Sequence, residues 1–287
     1  MIALALRHAF RRELLPSRVR WWLAAAGMRD WFFYLDRQLR PHLAERTRAI
    51  LAAAAARTFT RRYDALRATS LLALPEASER PRAVSGVMAA LYRAELDPRA
   101  SWIFDGAGGV PRARKWLDAF RLVAPLDAEA RWREVTVHLG ELLIVLTEDL
   151  PAHLDHARKI LGDVCFGAGV RYARRMKRAW RLPEADMPNA PALAIEVLRT
   201  SEYLFRVNPE HWGDADAATK TGWIEGTACP WYDRPGWNGA HCGIFGQFQA
   251  GVSSEFGLRY MLSKTIPKHG GTTCRIDLKP IELRRSR

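Results

Sequence analysis

Apolar residues in the first part of the chain recur every three or four positions, which is the spacing of an amphipathic α-helix. Trp31, Tyr34 and Leu35 follow this spacing, and Phe59 and Tyr63 repeat it in the next segment. Proline residues stand where helices would begin or break. The pattern predicts helices over residues 2–15, 17–39, 42–69, 82–96 and 127–149.

The pattern changes after residues 182–191, a stretch with three prolines that marks a boundary. β-branched and aromatic residues then alternate, as Ile195, Val197 and Tyr203 do, which is typical of strands. The sequence predicts strands over 194–200, 202–208, 221–229, 259–266 and 272–280, and one helix over 241–257. We therefore expect an α+β protein, with a helical domain over 1–186 and a small antiparallel sheet plus helix over 187–287.

The net charge of +13 is concentrated in the first 186 residues, because residues 187–287 carry twelve Lys and Arg against ten Asp and Glu. A basic chain can bind nucleic acid, but Arg is also the usual residue on the solvated face of an Ala-rich helix. No DNA-reading motif is recognisable, so a nucleic-acid partner is disfavoured. A small-molecule substrate is the expected partner, and association with a second copy of the chain is left open.

No apolar run is long enough to span a bilayer, and the short apolar opening does not fit a signal peptide. We therefore expect a soluble cytoplasmic protein. Four cysteines in 287 residues are too few for a disulfide scaffold, so free thiols or thiolate ligands are the better interpretation.

The candidate chemistry lies in residues 222–280, which hold Cys229, Cys242 and Cys274 together with His241 and His269. The prediction places Cys229 at the end of a strand, Cys242 at the start of a helix and Cys274 on the closing hairpin. Cys165 lies apart, in a small-residue stretch suited to close helix packing, and is interpreted as a buried structural thiol.

These motifs resemble the L-2-amino-thiazoline-4-carboxylic acid hydrolase-like family over roughly residues 190–280. The shared features are Cys229-Pro230, Cys242 about a dozen residues later, Lys264-Thr265 and the hairpin that ends in Cys274. That family is similar to the vinyl reductase type of small-molecule-binding domain. The resemblance implies a bacterial enzyme that hydrolyses C–N or C–S bonds of a small nitrogen–sulfur heterocycle. Relatives tend to have an acidic residue soon after the second cysteine, which this chain lacks, so the thiazoline is not fixed as the substrate.

A thiol-centred hydrolase needs a nucleophile, a proton donor and stabilisation of the developing charge. Cys242 is the predicted nucleophile because a helix N-terminus lowers a thiol pKa, and His241 or His269 is its predicted partner. Glu225 and Asp277 are candidate acids or orienting groups, and Lys264 is a candidate for holding a substrate carboxylate. No cofactor is required in this interpretation.

Other interpretations use the same residues. Cys229, Cys242, Cys274 and His241 could bind zinc as a structural or catalytic site, although the compact Cys-x-x-Cys spacing is missing. These residues could also belong to a non-catalytic small-molecule- or metal-binding sensor module of the vinyl reductase type. Alternatively, the thiols are core residues beneath the hairpin. The interpretations differ in whether the three thiols converge on one site.

Overall fold

The structure is a computed structural model that describes residues 2–69, 79–110, 117, 120–121, 123–182, 189–205, 211–227 and 229–281. The predicted α+β class is confirmed, because a long run of helices precedes a small antiparallel sheet with its own helices. The described helices are α1 (Ile2–Arg11), α2 (Ser17–Leu43), α3 (Thr47–Ala68), α4 (Arg80–Tyr92), α5 (Ala128–Asp149), α6 (Ala157–Trp180), α7 (Ala190–Phe205), α8 (Gly239–Ser254) and α9 (Ile266–His269). A 3₁₀ segment covers Pro98–Ala107.

The sheet has four antiparallel strands in the order β1, β2, β4, β3. The strands are β1 (His211–Asp216), β2 (Thr221–Thr227), β3 (Leu258–Lys264) and β4 (Thr273–Pro280). Helices α7 and α8 cover one face of this sheet. Gly222 on β2 lies against Ile195 of α7, and Gly246 on α8 lies against the Tyr260 hydroxyl of β3. We call this covered side the inner face.

The strands predicted over 194–200 and 202–208 are wrong, because these residues form the single helix α7. The β-branched and aromatic residues of this segment favour strands, but most of the helix is buried and its packing outweighs that propensity. The sequence did not predict strand β1. Its residues, His-Trp-Gly-Asp-Ala-Asp, include three polar side chains and a glycine, so the segment resembles a loop.

Contacts divide the chain into two compact units. We call Pro16–Ala157 the helical unit, and Met1–Leu15 together with Arg158–Arg287 the sheet unit. The sequence prediction placed its boundary at residue 186, whereas helix α6 groups with the sheet unit because it packs on α8. The candidate cysteines therefore share their unit with α6.

The core of the helical unit contains a buried polar network. Arg62 on α3 donates to both carboxylate oxygens of Glu134 on α5, at 2.7 and 2.9 Å. His138 Nε2 lies 3.1 Å from Glu134, and the other ring nitrogen lies 2.5 Å from the Tyr92 hydroxyl of α4. Burial alone would raise the pKa of Glu134, but His138 and Arg62 outweigh it and lower that pKa to about 2. The ion pair thus joins α3 to α5 in the core.

We expect Glu134→Gln to destabilise the protein by about 3–5 kcal/mol at neutral pH, because it leaves the Arg62 charge buried without its counter-ion. The folded-state pKa of Glu134 is lowered, so its contribution is present above the ordinary value of 4.5 and is lost as the pH falls toward about 2. The difference in melting temperature between wild type and variant should therefore narrow over that range.

The control for this experiment is Glu148→Gln on the same helix, which removes an exposed carboxylate paired with Arg57. Exposed pairs contribute about 0–1 kcal/mol, so this variant should melt close to the wild type. A difference for Glu134→Gln that stays constant down to pH 2 would contradict the assignment.

In the sheet unit, helices α6 and α8 cross at two glycines. A Cβ on Gly169 would overlap the carbonyl of Phe248, and a Cβ on Gly251 would overlap the carbonyl of Phe166. The predicted role of this small-residue stretch in close helix packing is confirmed. Cys165 lies on the same helix, is buried, and has a pKa raised by that burial to about 12.

Gly251→Ala should destabilise the sheet unit by about 1–3 kcal/mol, the usual cost of overpacking a tight contact. Gly243→Ala on the same helix is the matched control, since nothing lies within 4 Å of the added methyl group. The control should be neutral or stabilising by about 0.5–1 kcal/mol, because Ala favours a helix over Gly. Urea denaturation measures both, and equal effects of the two substitutions would show that the crossing is not tight.

Candidate functional site

Three cysteines from separate elements line one pocket on the inner face of the sheet. Cys229 follows β2, Cys242 lies in the first turn of α8, and Cys274 is the second residue of β4. We call this the thiol pocket. Its walls are largely aromatic, formed by Trp231, Trp237, Phe245 and Tyr260, and its polar members include Glu202 and Gln249. The cavity holds about 60 Å³.

The strand register explains the position of Cys274. Cys274 lies directly opposite Gly226 on β2, and Ile276 lies opposite Ile224 one step further along the same face. Residues opposite each other in an antiparallel pair share a face, and Gly226 has no side chain to occupy the space beside the thiol. The two isoleucines extend the pocket wall below it.

The turn before α8 fixes Cys242 and gives His241 a structural role. Asn238 caps the helix by accepting from the Ala240 N–H at 2.9 Å, while its own N–H donates to His241 Nδ1 at 3.1 Å. The His241 ring is stacked on Trp237, with 5.2 Å between ring centroids. This capping box engages one ring nitrogen of His241 with the backbone. The geometry therefore supports a capping role for His241.

Each pocket thiol accepts hydrogen bonds, but burial dominates its pKa. The Trp237 indole N–H donates to Cys242 Sγ at 3.3 Å, and the Ile266 backbone N–H donates to Cys274 Sγ at 3.4 Å. Burial raises the pKa of Cys242 and of Cys274 in spite of these donors. Burial raises the pKa of Cys229 to about 12, partly opposed by backbone N–H groups of the following turn. Burial thus outweighs the lowering of the Cys242 pKa expected from the helix N-terminus, and the raised pKa values favour the protonated form of all three thiols.

A hydrogen-bonded chain of side chains enters the pocket from three elements. The Tyr260 hydroxyl donates to Gln249 Oε1 at 3.0 Å, and Gln249 Nε2 donates to Glu202 Oε1 at 3.2 Å. Glu202 is buried on α7. Sequence reasoning missed Glu202 because α7 was assigned as strands, and missed Gln249 and Tyr260 because neither belongs to a recognised motif. Alternation along β3 does place Tyr260 on the same face as Leu262.

Glu225, Asp277 and Lys264 lie on the other side of the sheet, which we call the outer face. Glu225 is opposite Arg275 in the register, and Asp277 is two residues from Arg275. Because side chains alternate along a strand, both carboxylates point away from the face that carries Cys274. A register shift between Leu262 and Lys264 also turns Lys264 to the outer face, where its Nζ lies 2.8 Å from Thr273 Oγ1.

On the outer face these residues form an ion-pair network. Arg275 lies 3.0 Å from Asp277 and 3.7 Å from Glu225, and its guanidinium covers the Trp223 ring at 4.5 Å. Lys264 lies 3.9 Å from Glu225. The network pairs these charged residues with each other, although the charges of Lys264 and Glu225 still act on the pKa of Cys274 through the sheet, in opposite directions. The predicted roles of Glu225, Lys264 and Asp277 in the thiol site therefore have no support in the geometry.

His269 is exposed at the end of the one-turn helix α9, where its Nδ1 accepts from the Thr265 N–H at 3.0 Å. The geometry gives no contact between His269 and Cys242. Among the described residues, no group of three or more His, Cys, Asp or Glu side chains could hold a metal ion. The alternative zinc site of Cys229, Cys242, Cys274 and His241 is thus not formed. Within the described ranges, no helix combines the length and apolar character needed to cross a bilayer.

No family model, curated protein or solved structure matches this chain. The resemblance of residues 190–280 to the thiazoline hydrolase-like family therefore stays a prediction.

Because their pKa values are raised, the pocket thiols should react slowly with iodoacetamide at neutral pH, more slowly than free cysteine. Cys229 and Cys165 should be slowest, and the rates should keep rising with pH beyond the point where free cysteine levels off. Mass spectrometry of peptides from native protein, alkylated across a pH series, measures each site.

Trp237→Phe tests the donor to Cys242, because it removes the indole N–H and should slow alkylation of Cys242 further. Protein unfolded in guanidinium serves as the reference, in which all four cysteines should react alike. Rapid alkylation of native Cys242 at pH 6 would contradict the protonated state.

Proposed function

We propose that the thiol pocket binds a small nitrogen–sulfur heterocycle or cyclic amidine and opens its ring by hydrolysis, with Cys242 as the nucleophile. The observation that carries this proposal is the convergence of Cys229, Cys242 and Cys274 on one cavity from three separate elements. Thiols that were only core residues would pack against apolar neighbours without a shared cavity between them.

The size of the cavity supports a small ring as the ligand. A water-sized group needs roughly 10–15 Å³ on the same scale, so about 60 Å³ accommodates roughly four to six such groups. This matches a five-membered ring with one substituent. The aromatic walls supply flat apolar contact area on which such a ring can stack.

Protonated thiols are compatible with this chemistry. In the first step a bond forms between Cys242 Sγ and the amidine carbon, and the electrons of the C=N bond move to the ring nitrogen. The thiol proton passes to that nitrogen or, where the nitrogen is already protonated, to a carboxylate of the pocket. The ring C–N or C–S bond then breaks and the leaving heteroatom takes a proton. Water attacks the same carbon and releases Cys242 as a thiol, so that one water is consumed overall.

Cys242 is the best placed of the three thiols for this role. It lies in the first turn of α8, and it accepts a hydrogen bond from the Trp237 indole N–H, which stabilises negative charge on sulfur during attack. Cys229 and Cys274 hold their protons firmly because of burial and can donate to the leaving heteroatom.

The alternative is a pocket that binds a small molecule without reacting with it, as in a sensor module of the vinyl reductase type. One observation favours this alternative: the pKa of all three pocket thiols is raised, whereas a resting nucleophile commonly has a lowered pKa. The two functions share the ligand class and differ in turnover.

Incubation with 2-amino-2-thiazoline, its 4-carboxylate and related small rings should give a ring-opened product one water heavier than the substrate, measured by mass spectrometry of the quenched reaction. Cys242→Ala should lower the turnover number on the order of 100-fold or more, since a nucleophile acts as a unit with its partners. Cys165→Ala, at the buried thiol on α6 outside the pocket, should leave turnover near the wild-type value.

Full turnover by Cys242→Ala would disprove the nucleophile assignment. If no ring is opened but ring compounds protect the pocket cysteines from alkylation, the non-catalytic binding function is supported instead.

A further inference from the structure

Glu202 lines the thiol pocket together with Gln249 and Tyr260. Only 2% of the residue is exposed, so the carboxylate is held away from bulk water. It is positioned by Gln249 of α8, which is in turn positioned by Tyr260 of β3. Three different elements thus converge to fix one charged group on the pocket wall.

The direction of the hydrogen bonds indicates that Glu202 acts as an acceptor. The Tyr260 hydroxyl donates to the carbonyl oxygen of Gln249, which leaves the amide N–H to donate to Glu202. A carboxylate accepts such a bond without needing a proton of its own. The negative charge of Glu202 also reaches the opposite wall, where it contributes to raising the pKa of Cys274 after burial, the larger cause.

The rest of the pocket suits a positive charge. The faces of aromatic rings attract cations, and Trp is the most effective of them. Trp231, Trp237, Phe245 and Tyr260 line the cavity together with Glu202. A planar cation with N–H groups could stack on a ring and donate to the carboxylate at the same time, as a charge-assisted hydrogen bond.

We propose that Glu202 is the specificity-determining residue of the thiol pocket and that it selects ligands bearing a small, planar, delocalised cation such as an amidinium or isothiouronium group. The inference rests on the proposed function for the location of the site and adds the charge of the ligand and the residue that recognises it. It does not require that the ring be opened.

Two ring compounds of equal size test the charge preference. 2-Amino-2-thiazoline is protonated at neutral pH, whereas 2-methyl-2-thiazoline has the same number of heavy atoms and is uncharged. By titration calorimetry, wild-type protein should bind the amino compound at least about tenfold more tightly than the methyl compound, as expected for a buried charge-assisted contact. Equal affinity for the two rings, or binding of neither, would overturn the inference.

Variants at Glu202 test the residue. Glu202→Gln keeps the shape and removes the charge, so it should weaken binding of the amino compound at least about tenfold and abolish the preference. Glu202→Asp keeps the charge on a side chain one methylene shorter. This variant should bind the amino compound several-fold more weakly and should still prefer it to the methyl compound. Glu225→Gln makes the same chemical change on the outer face of the sheet and should leave both dissociation constants unchanged.

The outcomes separate this inference from the proposed function. If the charge preference depends on Glu202 but no ring is opened, the inference about Glu202 is supported and the proposed hydrolase activity is disproved. Ring opening with a preference that survives in Glu202→Gln supports the hydrolase and overturns the inference. Circular dichroism and the melting temperature establish that each variant folds. If Glu202→Gln does not fold, Glu202→Asp serves as the test, and unchanged binding of both rings by that variant would overturn the inference.

Discussion

The thiol pocket depends on one constraint, the antiparallel pairing of β2 with β4. This pairing sets Cys274 opposite Gly226 and directs both toward the side that α7 and α8 cover. A shift of one residue would turn Cys274 to the outer face and bring Arg275 inside, since the side-chain period of a strand is two. The register is supported from both sides, by the isoleucine pair on the inner face and by the ion pairs on the outer face.

The two faces of the sheet show a division of roles between residue types. Charged side chains on the outer face pair with each other, as Arg275 does with Asp277 and Glu225, and they remain partly exposed. The inner face carries thiols, aromatic rings and one hydrogen-bonded carboxylate. Pairs on an exposed face contribute little to stability individually, so this network supports the register mainly by giving each charged residue a partner on the outer face. Among the described residues that line the pocket, Glu202 is the carboxylate, and a buried carboxylate without a cationic side chain in that set can distinguish ligands by charge.

The sequence predicted the fold class and the long front helices, because those segments are rich in Ala, Leu and Arg, which are strong helix formers. It also predicted that Cys229, Cys242 and Cys274 share a site, which the structure brings about by placing them on one cavity. Period-two alternation could have shown that Asp277 and Cys274 face opposite ways, since they are three residues apart. No sequence pattern shows the bulge that turns Lys264 outward or the packing of α7 that brings Glu202 to the thiols, because both arise from tertiary contacts.

The raised thiol pKa values and the proposed cationic ligand fit together electrostatically. Burial raises the pKa of all three pocket thiols, and the charge of Glu202 adds to that rise at Cys274. Thiols that stay protonated react less with nonspecific alkylating and oxidising agents. If a planar cation occupies the pocket, as proposed, it adds a positive charge next to the same thiols and partly cancels the charge of Glu202. An opposite charge within about 4–6 Å favours the ionised form of a titrating group. A cation bound beside Glu202 would therefore oppose the effect of Glu202 on the pKa of Cys274.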